Sequence, residues 1–404
     1  MITCSFTSMI LILHYTLESF DETVTINIEN SYLRWNNTFP ATSICYAKGR
    51  SLKSIQTFLE TYWAEKNLTK PARFSSFLRL AQKYLFVSPS NNIEHSATIC
   101  NGMNETCNLD LETMQTLFFP KSCTDVFINV WFLGKPYRCG DIFKLFYTEM
   151  GFCFISNSIF SYDMSYEKLP LRYTYENTKK TFEFRYKEID AINFELFIHS
   201  PEELPYSLMP PFKPRKYGAF MHYTLNTIEV YNHEDVKHEP IKKRECRFPH
   251  ENITKTLPYS FTNCFLLKRI EMELAQCNCT IPTSPIEYKS KYCNFTGLDC
   301  IANAQVLVAV KKNLFGGEEP CIQSCLEMEI NVLGENTFNM RDPKAPGHVI
   351  LEIMNIPTSR YERSVSHTNL DFIVSLGGVG GLFFGVSLLS IVEIFYFWLR
   401  RSFQ

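Results

Sequence analysis

Small and polar residues recur in an otherwise apolar stretch near the C-terminus. Gly377, Gly381 and Gly385 follow one another at intervals of four, which places three positions without side chains on one face of a helix. Ser387 and Glu393, which carry side-chain oxygens, lie beyond them. A cation that crosses a membrane exchanges its hydration shell for protein oxygens, which freed carbonyls, hydroxyl groups and carboxylates can supply. The pattern therefore predicts a helix that lines a cation path.

Two simpler interpretations apply to the same residues. Glycines at this spacing serve close helix packing in many membrane proteins, and Glu393, seven residues before Arg400, can extend to the inner membrane interface. Packing alone does not require the polar continuation through Val386, Ser387 and Ser390. A cation path with Glu393 as an acidic ring accounts for all of these residues.

Apolar segments at both ends of the chain define its domain organisation. The segment from Phe372 to Leu399 contains one charge and is longer than the roughly 20 residues that cross a bilayer core. Arg400 and Arg401 follow it directly. These two cations predict a cytoplasmic C-terminus and an extracellular central region. Residues 1–17 are either the remnant of a first transmembrane helix, which we favour, or a weak signal peptide. The predicted parts are the helix remnant at 1–17, an extracellular domain at 18–369, a second transmembrane, pore-lining helix at 370–399 and a cytoplasmic tail at 400–404.

The cysteines indicate an oxidising compartment. Of the 15 cysteines, all but Cys4 lie between Cys45 and Cys325, an even number that favours seven disulfides. The same region contains six Asn-x-Ser/Thr acceptors for N-linked glycosylation: Asn36, Asn67, Asn104, Asn252, Asn278 and Asn294. The alternative, zinc bound by cysteine pairs near Cys277 and Cys321, conflicts with glycosylation inside the same cluster. We therefore expect no metal site and no cofactor.

The composition argues against two other classes of protein. A net charge of −2 over 404 residues provides no basic field for nucleic acid. The nine histidines are scattered without metal-ligand spacing, and the motifs of serine hydrolases, zinc peptidases and phosphate-binding loops do not occur. Neither a nucleic-acid partner nor an enzymatic activity is expected.

The central region combines both kinds of secondary-structure pattern. Alternating apolar residues predict strands at 194–198 and 348–356, and helical spacing predicts helices at 51–64, 141–150 and 263–275. No internal repeat and no low-complexity linker divides the region. The sequence predicts one α+β domain that is held together by disulfides.

The stretch from Leu376 to Ile394 resembles the second transmembrane helix of the degenerin/epithelial sodium channels, the amiloride-sensitive sodium channel family, and is most similar to its insect pickpocket-type members. The resemblance places the family's Gly-x-Ser selectivity filter on Gly385, Val386 and Ser387. It implies a homo- or heterotrimer of related subunits in the plasma membrane, which conducts Na⁺ across the bilayer and is sensitive to amiloride.

The same resemblance assigns further roles along this helix. Val374 occupies the position that controls constitutive opening in the family, and pore-lining or gating roles fall on Gly377, Gly381, Ser390 and Glu393.

Other motifs extend the resemblance over nearly the whole chain. The similar segments are Phe39–Cys45, Gly151–Asn157, Phe194–Pro205, Arg244–Phe248, Tyr259–Cys264, Cys277–Pro282 and Cys321–Cys325. The fold that they imply is a large extracellular domain with a β palm and a helical thumb and finger. It lies between two transmembrane helices, of which the first is expected to be incomplete.

The resemblance also implies disulfide pairs. These are Cys45–Cys153, Cys246–Cys325, Cys264–Cys321, Cys277–Cys300 and Cys279–Cys293, with Cys100–Cys107 and Cys123–Cys139 as the remaining pairs. One rung of the family's disulfide ladder is replaced by Lys268 and Glu319. These residues could form an ion pair, worth under about 1 kcal/mol if exposed.

Three alternative functions follow from other interpretations of the chain. A membrane-anchored receptor or adhesion protein also has one certain span, but it needs no polar groups within that span. An ATP-gated trimeric channel requires extracellular lysines for phosphate, whereas Lys242, Lys243 and Arg244 precede or begin a thumb motif. A non-conducting regulatory subunit is the third alternative, because the family's cytoplasmic His-Gly motif has no counterpart in this sequence.

Overall fold

The computed structural model describes most of the central region and parts of both ends. The described residues are 10, 14, 24–49, 52–68, 74–85, 119–187, 192–212, 219–251, 257–313, 320–339, 342, 345–366, 371, 373–375, 377–378, 381 and 388–402. The chain divides into a terminal unit, residues 1–29, 230–246 and 360–404, and a central unit, residues 30–229 and 247–359.

Strands and helices alternate along the chain. The strands are β1 (Val24–Glu29), β2 (Asn37–Thr38), β3 (Ala41–Gly49), β4 (Phe127–Phe132), β5 (Lys135–Tyr137), β6 (Phe143–Thr148), β7 (Gly151–Ser156), β8 (Arg172–Tyr173), β9 (Thr181–Tyr186), β10 (Ile192–His199), β11 (Ala219–Asn232), β12 (Cys246–Arg247), β13 (Gln323–Ser324), β14 (Met328–Asn339), β15 (Gly347–Ile353) and β16 (Arg360–Val365). The α-helices are α1 (Leu52–Glu65), α2 (Phe74–Leu85), α3 (Cys123–Val126), α4 (Cys139–Ile142), α5 (Ile241–Arg244), α6 (Phe261–Cys277), α7 (Phe295–Ala304), α8 (Val306–Asn313) and α9 (Leu388–Ser402).

Two sheets form the body of the central unit. In the first sheet, β11 pairs in parallel with β15 and antiparallel with β14, and the order continues from β15 through β9 and β4 to β5. The second sheet has the antiparallel order β10-β3-β7-β6. The strands predicted at 194–198 and 348–356 are present as β10 and β15. The mixed α/β class is confirmed.

Aromatic side chains fill the space between these two sheets. Phe127 on β4 stacks on Phe143 of β6, with ring centroids 4.0 Å apart. Phe154 and Phe184 meet the Phe127 ring edge-on, at centroid distances of 5.8 and 5.6 Å. All four side chains are buried. Edge-on and offset aromatic packing adds to the free energy gained from burial of these rings.

Helices α1 and α6 correspond to the helices predicted at 51–64 and 263–275. Ile55, Leu59 and Trp63 of α1 are buried at intervals of four, and the Trp63 ring lies 5.3 Å from that of Phe77 on α2. In α6 the Ser260 hydroxyl caps the first turn by accepting a hydrogen bond from the backbone N–H of Asn263, at 3.1 Å.

The prediction of a helix at 141–150 is wrong. Helix α4 ends at Ile142, and strand β6 begins at Phe143 and pairs with β7 along its whole length. The spacing of apolar residues fits a helix, but the stack of Phe143 on Phe127 and the ladder with β7 stabilise the extended conformation instead.

Disulfides join elements that are distant in sequence. The bonded pairs are Cys45–Cys153, Cys123–Cys139, Cys264–Cys321, Cys277–Cys300 and Cys279–Cys293. They agree with the pairs expected above. Cys246 and Cys325 are each disulfide-bonded, whereas Cys100, Cys107 and Glu319 lie outside the described residues. The ion pair between Lys268 and Glu319 therefore stays a prediction.

The terminal unit contains a small sheet of its own. Strands β1 and β16 pair antiparallel from Val24 with Val365 to Glu29 with Arg360, and residues 230–232 of β11 run parallel to β16. Arg360 Nε lies 2.6 Å from Glu29 Oε2. This ion pair fixes one end of the β1–β16 ladder.

Candidate functional site

Those residues predicted to line the cation path that the structure describes have helical backbone and lie in two segments near the C-terminus. Val374, Gly377 and Gly381 have helical backbone. A Cβ atom placed on Gly377 would have no atom of the described residues within 4 Å, apart from its chain neighbours and the backbone of its own helix. The predicted filter residues Gly385, Val386 and Ser387 lie outside the described residues. In a continuous helix, the spacing of these three positions, i, i+3 and i+7, would put them on one face.

Ser390 and Glu393 belong to α9. They are three residues apart, so both lie on the same side of that helix. Arg400 and Arg401 occupy its last turn, where cations interact favourably with the helix dipole. Within the part of the chain that the structure describes, no helix combines the length and the apolar character needed to cross a membrane.

Large apolar side chains are exposed along the same two segments. Val374, Leu389 and Val392 are 65%, 73% and 62% exposed, and Tyr396 and Trp398 are 59% and 65% exposed. Apolar groups exposed in this number are typical of surfaces that lipid or another protein chain covers.

Four of the predicted glycosylation acceptors are accessible. Asn36, Asn67, Asn278 and Asn294 are exposed, and Asn104 and Asn252 lie outside the described residues. The Asn294 amide oxygen caps α7 by accepting a hydrogen bond from the Gly297 N–H at 2.9 Å. A glycan joins the amide nitrogen, so capping and glycosylation use different atoms of this side chain.

A buried ion cluster, which we call the arginine cluster, links α6 to the end of β6. Arg269 Nε lies 2.7 Å from Glu149 Oε1, and Arg269 Nη1 lies 2.5 Å from Glu273 Oε1. Arg269 Nη2 donates a hydrogen bond to Ser284 Oγ at 3.1 Å. All three charged side chains are at most 2% exposed. Burial acts to lower the pKa of Arg269, but the two carboxylates raise it above its ordinary value, so the guanidinium stays charged.

Glu273 of the arginine cluster also hydrogen-bonds to the residues that follow α6. Glu273 Oε2 accepts hydrogen bonds from Thr280 Oγ1 at 2.6 Å and from the Ile281 N–H at 3.2 Å. Glu149 Oε2 accepts one from the Ser207 N–H at 2.8 Å. The cluster therefore connects the disulfide-linked helices to the second sheet through charge-assisted hydrogen bonds.

A second buried polar group surrounds the turn after β10. Glu202 Oε2 accepts hydrogen bonds from Ser200 Oγ at 2.5 Å and from the Tyr166 hydroxyl. Burial, and then the charge of Glu203, raise the pKa of Glu202 to about 8. Burial and the charge of Glu327 raise the pKa of Glu203 to about 7. At neutral pH the Glu202 carboxyl therefore holds its proton.

His199 lies at the start of the same turn. Its Nε2 is 2.6 Å from Ser43 Oγ and its Nδ1 is 2.8 Å from the Ser200 carbonyl oxygen, so Nδ1–H donates and Nε2 accepts. Burial lowers the pKa of His199 to about 4, and the hydrogen bond to Ser200 opposes this only in part. The imidazole is neutral at physiological pH.

The sequence interpretation did not identify either of these buried groups. The spacing of Arg269 and Glu273, four residues apart in an apolar helix, is a local signal of an ion pair. Glu149 and Glu202 gave no comparable signal, because their partners are distant in sequence. Among the described residues, no group of three or more His, Cys, Asp or Glu side chains is arranged to hold a metal ion.

Comparison with known proteins gives a family match over almost the whole chain. The family model described as amiloride-sensitive sodium channel matches residues 1–397. Pickpocket protein 11 of Drosophila melanogaster is 26% identical over 233 residues, which are 52% of this chain and 45% of that protein. Sodium channel protein Nach of Drosophila virilis is 29% identical over 200 residues, 45% of this chain and 50% of that protein. The chain thus matches about half the length of these curated relatives.

Proposed function

The chain belongs to the amiloride-sensitive sodium channel family, and from this premise we propose that it is a subunit of a trimeric channel that conducts Na⁺ across the plasma membrane. The observation that carries the proposal is the family match over residues 1–397. The family consists of ion channels and not of enzymes. Names such as sodium channel protein Nach point to the same ion.

The pore is proposed to form where the C-terminal segments of three copies meet. The open space at Gly377 leaves room for a second backbone to approach that face. The exposed apolar side chains around Val374 and Leu389 then face lipid or a neighbouring copy. Both features support an assembly that a single chain does not complete.

Selectivity is proposed to arise at Gly385, Val386 and Ser387. Carbonyl and hydroxyl oxygens from three copies would replace the hydration shell of Na⁺ there. Glu393, six residues further and on the same helix face as Ser390, would add a ring of three carboxylates that attracts cations and repels anions.

The extracellular part is proposed to be the β palm and helical thumb of this family. The two sheets would be the palm with its adjoining strands. Helices α6 and α7, which the Cys277–Cys300 disulfide joins, would form the thumb together with α8. The arginine cluster supports this proposal, because it ties α6 firmly to the second sheet and lets movement of one element reach the other.

Whole-cell current in a cell without endogenous sodium current tests the function. The chain is expressed alone, and also as a longer chimera that carries N-terminal residues of a relative. External Na⁺ is replaced by a large impermeant cation, and amiloride is applied. We expect a current that requires Na⁺ and is blocked by amiloride, and we expect Glu393→Gln to reduce its amplitude.

The outcomes separate the alternatives. Current from the chimera alone would identify this chain as non-conducting by itself. If both proteins reach the surface and neither conducts, alone or with a co-expressed pickpocket subunit, a receptor or adhesion function replaces the channel function.

A further inference from the structure

A cleft opens beside the arginine cluster, in the central unit. Its volume is about 280 Å³, near the lower limit of about 300 Å³ for small-molecule sites. The end of β6, the loop at 204–206, Leu257 with the first turns of α6, and residues 283–286 line it. Four separate segments therefore converge on one small space.

The wall of the cleft is mainly apolar. Leu204, Leu266 and Ile286 line it, together with the rings of Tyr147 and Tyr206. Ile286 is 69% exposed and Tyr147 is 38% exposed. The side chains form an open apolar surface with two aromatic rings, which suits a ligand with an apolar body.

One polar group in this wall has no partner within the described part of the chain. Thr283 is only 3% exposed, and its Oγ1 makes no hydrogen bond. A buried hydroxyl without a hydrogen bond costs free energy, on the order of 1–3 kcal/mol. A ligand with a hydrogen-bonding group would recover this cost.

The charges around the cleft favour a positively charged ligand. Glu149 lines the cleft and shares Arg269 with Glu273, so two carboxylates face one guanidinium and negative charge is in excess. Burial, then the carboxylates of Glu203 and Glu149, raise the pKa of Tyr206 to about 12. The described residues that line the cleft include no Lys, Arg or His.

We propose that this cleft binds a small organic amine. The ammonium group donates a hydrogen bond to Thr283 Oγ1 and lies on the side of Glu149. The apolar body packs against Leu266 and Tyr206. The face of the Tyr206 ring also attracts a cation. The proposal concerns binding and does not depend on whether the chain conducts.

Binding to the purified full-length chain in detergent tests the proposal. Isothermal titration compares three probes of similar size: 2-phenylethylamine, neutral 2-phenylethanol and anionic 3-phenylpropionate. We expect the amine to bind at least about tenfold more tightly than the anion, because like charges repel at a partly buried site. The alcohol should fall between them.

Two substitutions locate the site. Thr283→Val removes the hydroxyl at nearly constant volume and should weaken amine binding about three- to tenfold, the effect of one hydrogen bond. Leu266→Trp should fill the cleft and abolish binding. Thr61→Val on α1, where the hydroxyl bonds to the Thr57 carbonyl, is the matched control and should leave affinity unchanged.

Other results would overturn the proposal. Equal affinities of amine and anion would show that charge does not select the ligand. Undiminished amine binding by Leu266→Trp, with an unchanged unfolding temperature, would place the amine elsewhere. Failure of the amine to bind at millimolar concentration would also refute the proposal, whatever the current measurements show.

Discussion

Arg269 is the residue that holds the arginine cluster together. Its guanidinium contacts Glu149 and Glu273, and it is fully buried. Removing one partner of a buried ion pair leaves an uncompensated charge, which costs more than the pair contributes when intact. The three side chains are therefore best regarded as one unit.

Arg269→Met should destabilise the chain by about 3–5 kcal/mol, because two buried carboxylates lose their counter-ion. Thermal unfolding of the purified chain, followed by tryptophan fluorescence, measures the loss. Arg185→Met, at an exposed arginine over the Trp131 ring, should cost no more than about 1 kcal/mol.

The triple variant Arg269→Met, Glu149→Gln, Glu273→Gln removes all three charges together. It should be less destabilised than Arg269→Met alone, since no buried charge remains. A triple variant that is as unstable as the single one would show that packing, and not charge, explains the loss.

Glu202 should make the stability of the chain depend on pH. Its pKa is about 8 in the folded protein and near 4.5 in the unfolded chain, so the folded state retains a proton that the unfolded state loses. Stability from this group is present below pH 4.5 and is lost as the pH rises to about 8. Glu202→Gln, which keeps the hydrogen-bonding shape without the charge, should gain stability relative to the parent between pH 5 and pH 8.5.

The contribution of His199 to stability changes with pH in the opposite direction and provides a comparison. Its pKa is about 4 when folded and 6.5 when unfolded, so its contribution is lost as the pH falls from 6.5 to 4. His199 titrates alike in the parent and in Glu202→Gln, so the difference in stability between the two proteins reports Glu202 alone and should grow from pH 5 to about pH 8. A difference between Glu202→Gln and the parent that is constant from pH 5 to pH 8.5 would contradict the role of Glu202.

Helix α7 begins against a disulfide, which constrains the residue at its first turn. A Cβ atom on Gly297 would lie 2.4 Å from Cys279 Sγ and 3.0 Å from Cys293 Cβ, closer than atoms can pack. A glycine is therefore required where α7 meets the Cys279–Cys293 bond, even though alanine is the better helix former.

Gly297→Ala should lower stability by about 1–3 kcal/mol, the usual cost of overpacking. Gly140→Ala is the matched control, since Gly140 also lies beside a disulfide but a Cβ there would be 4.0 Å from Cys123 Sγ. Its unfolding temperature should stay the same or rise. Equal effects of the two substitutions would show that helix propensity, and not the contact with Cys279, decides the outcome.

The elements show which features a sequence predicts and which it does not. Helices α1 and α6 and strands β10 and β15 follow from the local pattern of apolar residues. Strand β6 does not, because its partner β7 and the ring of Phe127 stabilise an extended form that the spacing of residues 141–150 does not indicate. The arginine cluster was missed for the same reason: Glu149 and Arg269 meet only in the folded chain.

At the scale of the whole molecule, the described parts of the C-terminal segments present apolar surface that the rest of the described chain does not cover. Their apolar side chains are exposed and Gly377 faces open space. Three copies arranged around an axis would cover these surfaces and bring three carboxylates of Glu393 together. Each copy then contributes one-third of the proposed cation path.

Gly377→Cys tests this arrangement directly. If the glycine face of one copy approaches that of the next, oxidation of intact membranes should link two subunits, giving a dimer band in non-reducing electrophoresis that a reductant removes. Ser375→Cys, two residues earlier and about 200° around the helix, is the control and should give little dimer. Equal crosslinking at both positions would indicate random collision, and a monomer at position 377 in a chain that conducts Na⁺ would place another face of the helix at the axis.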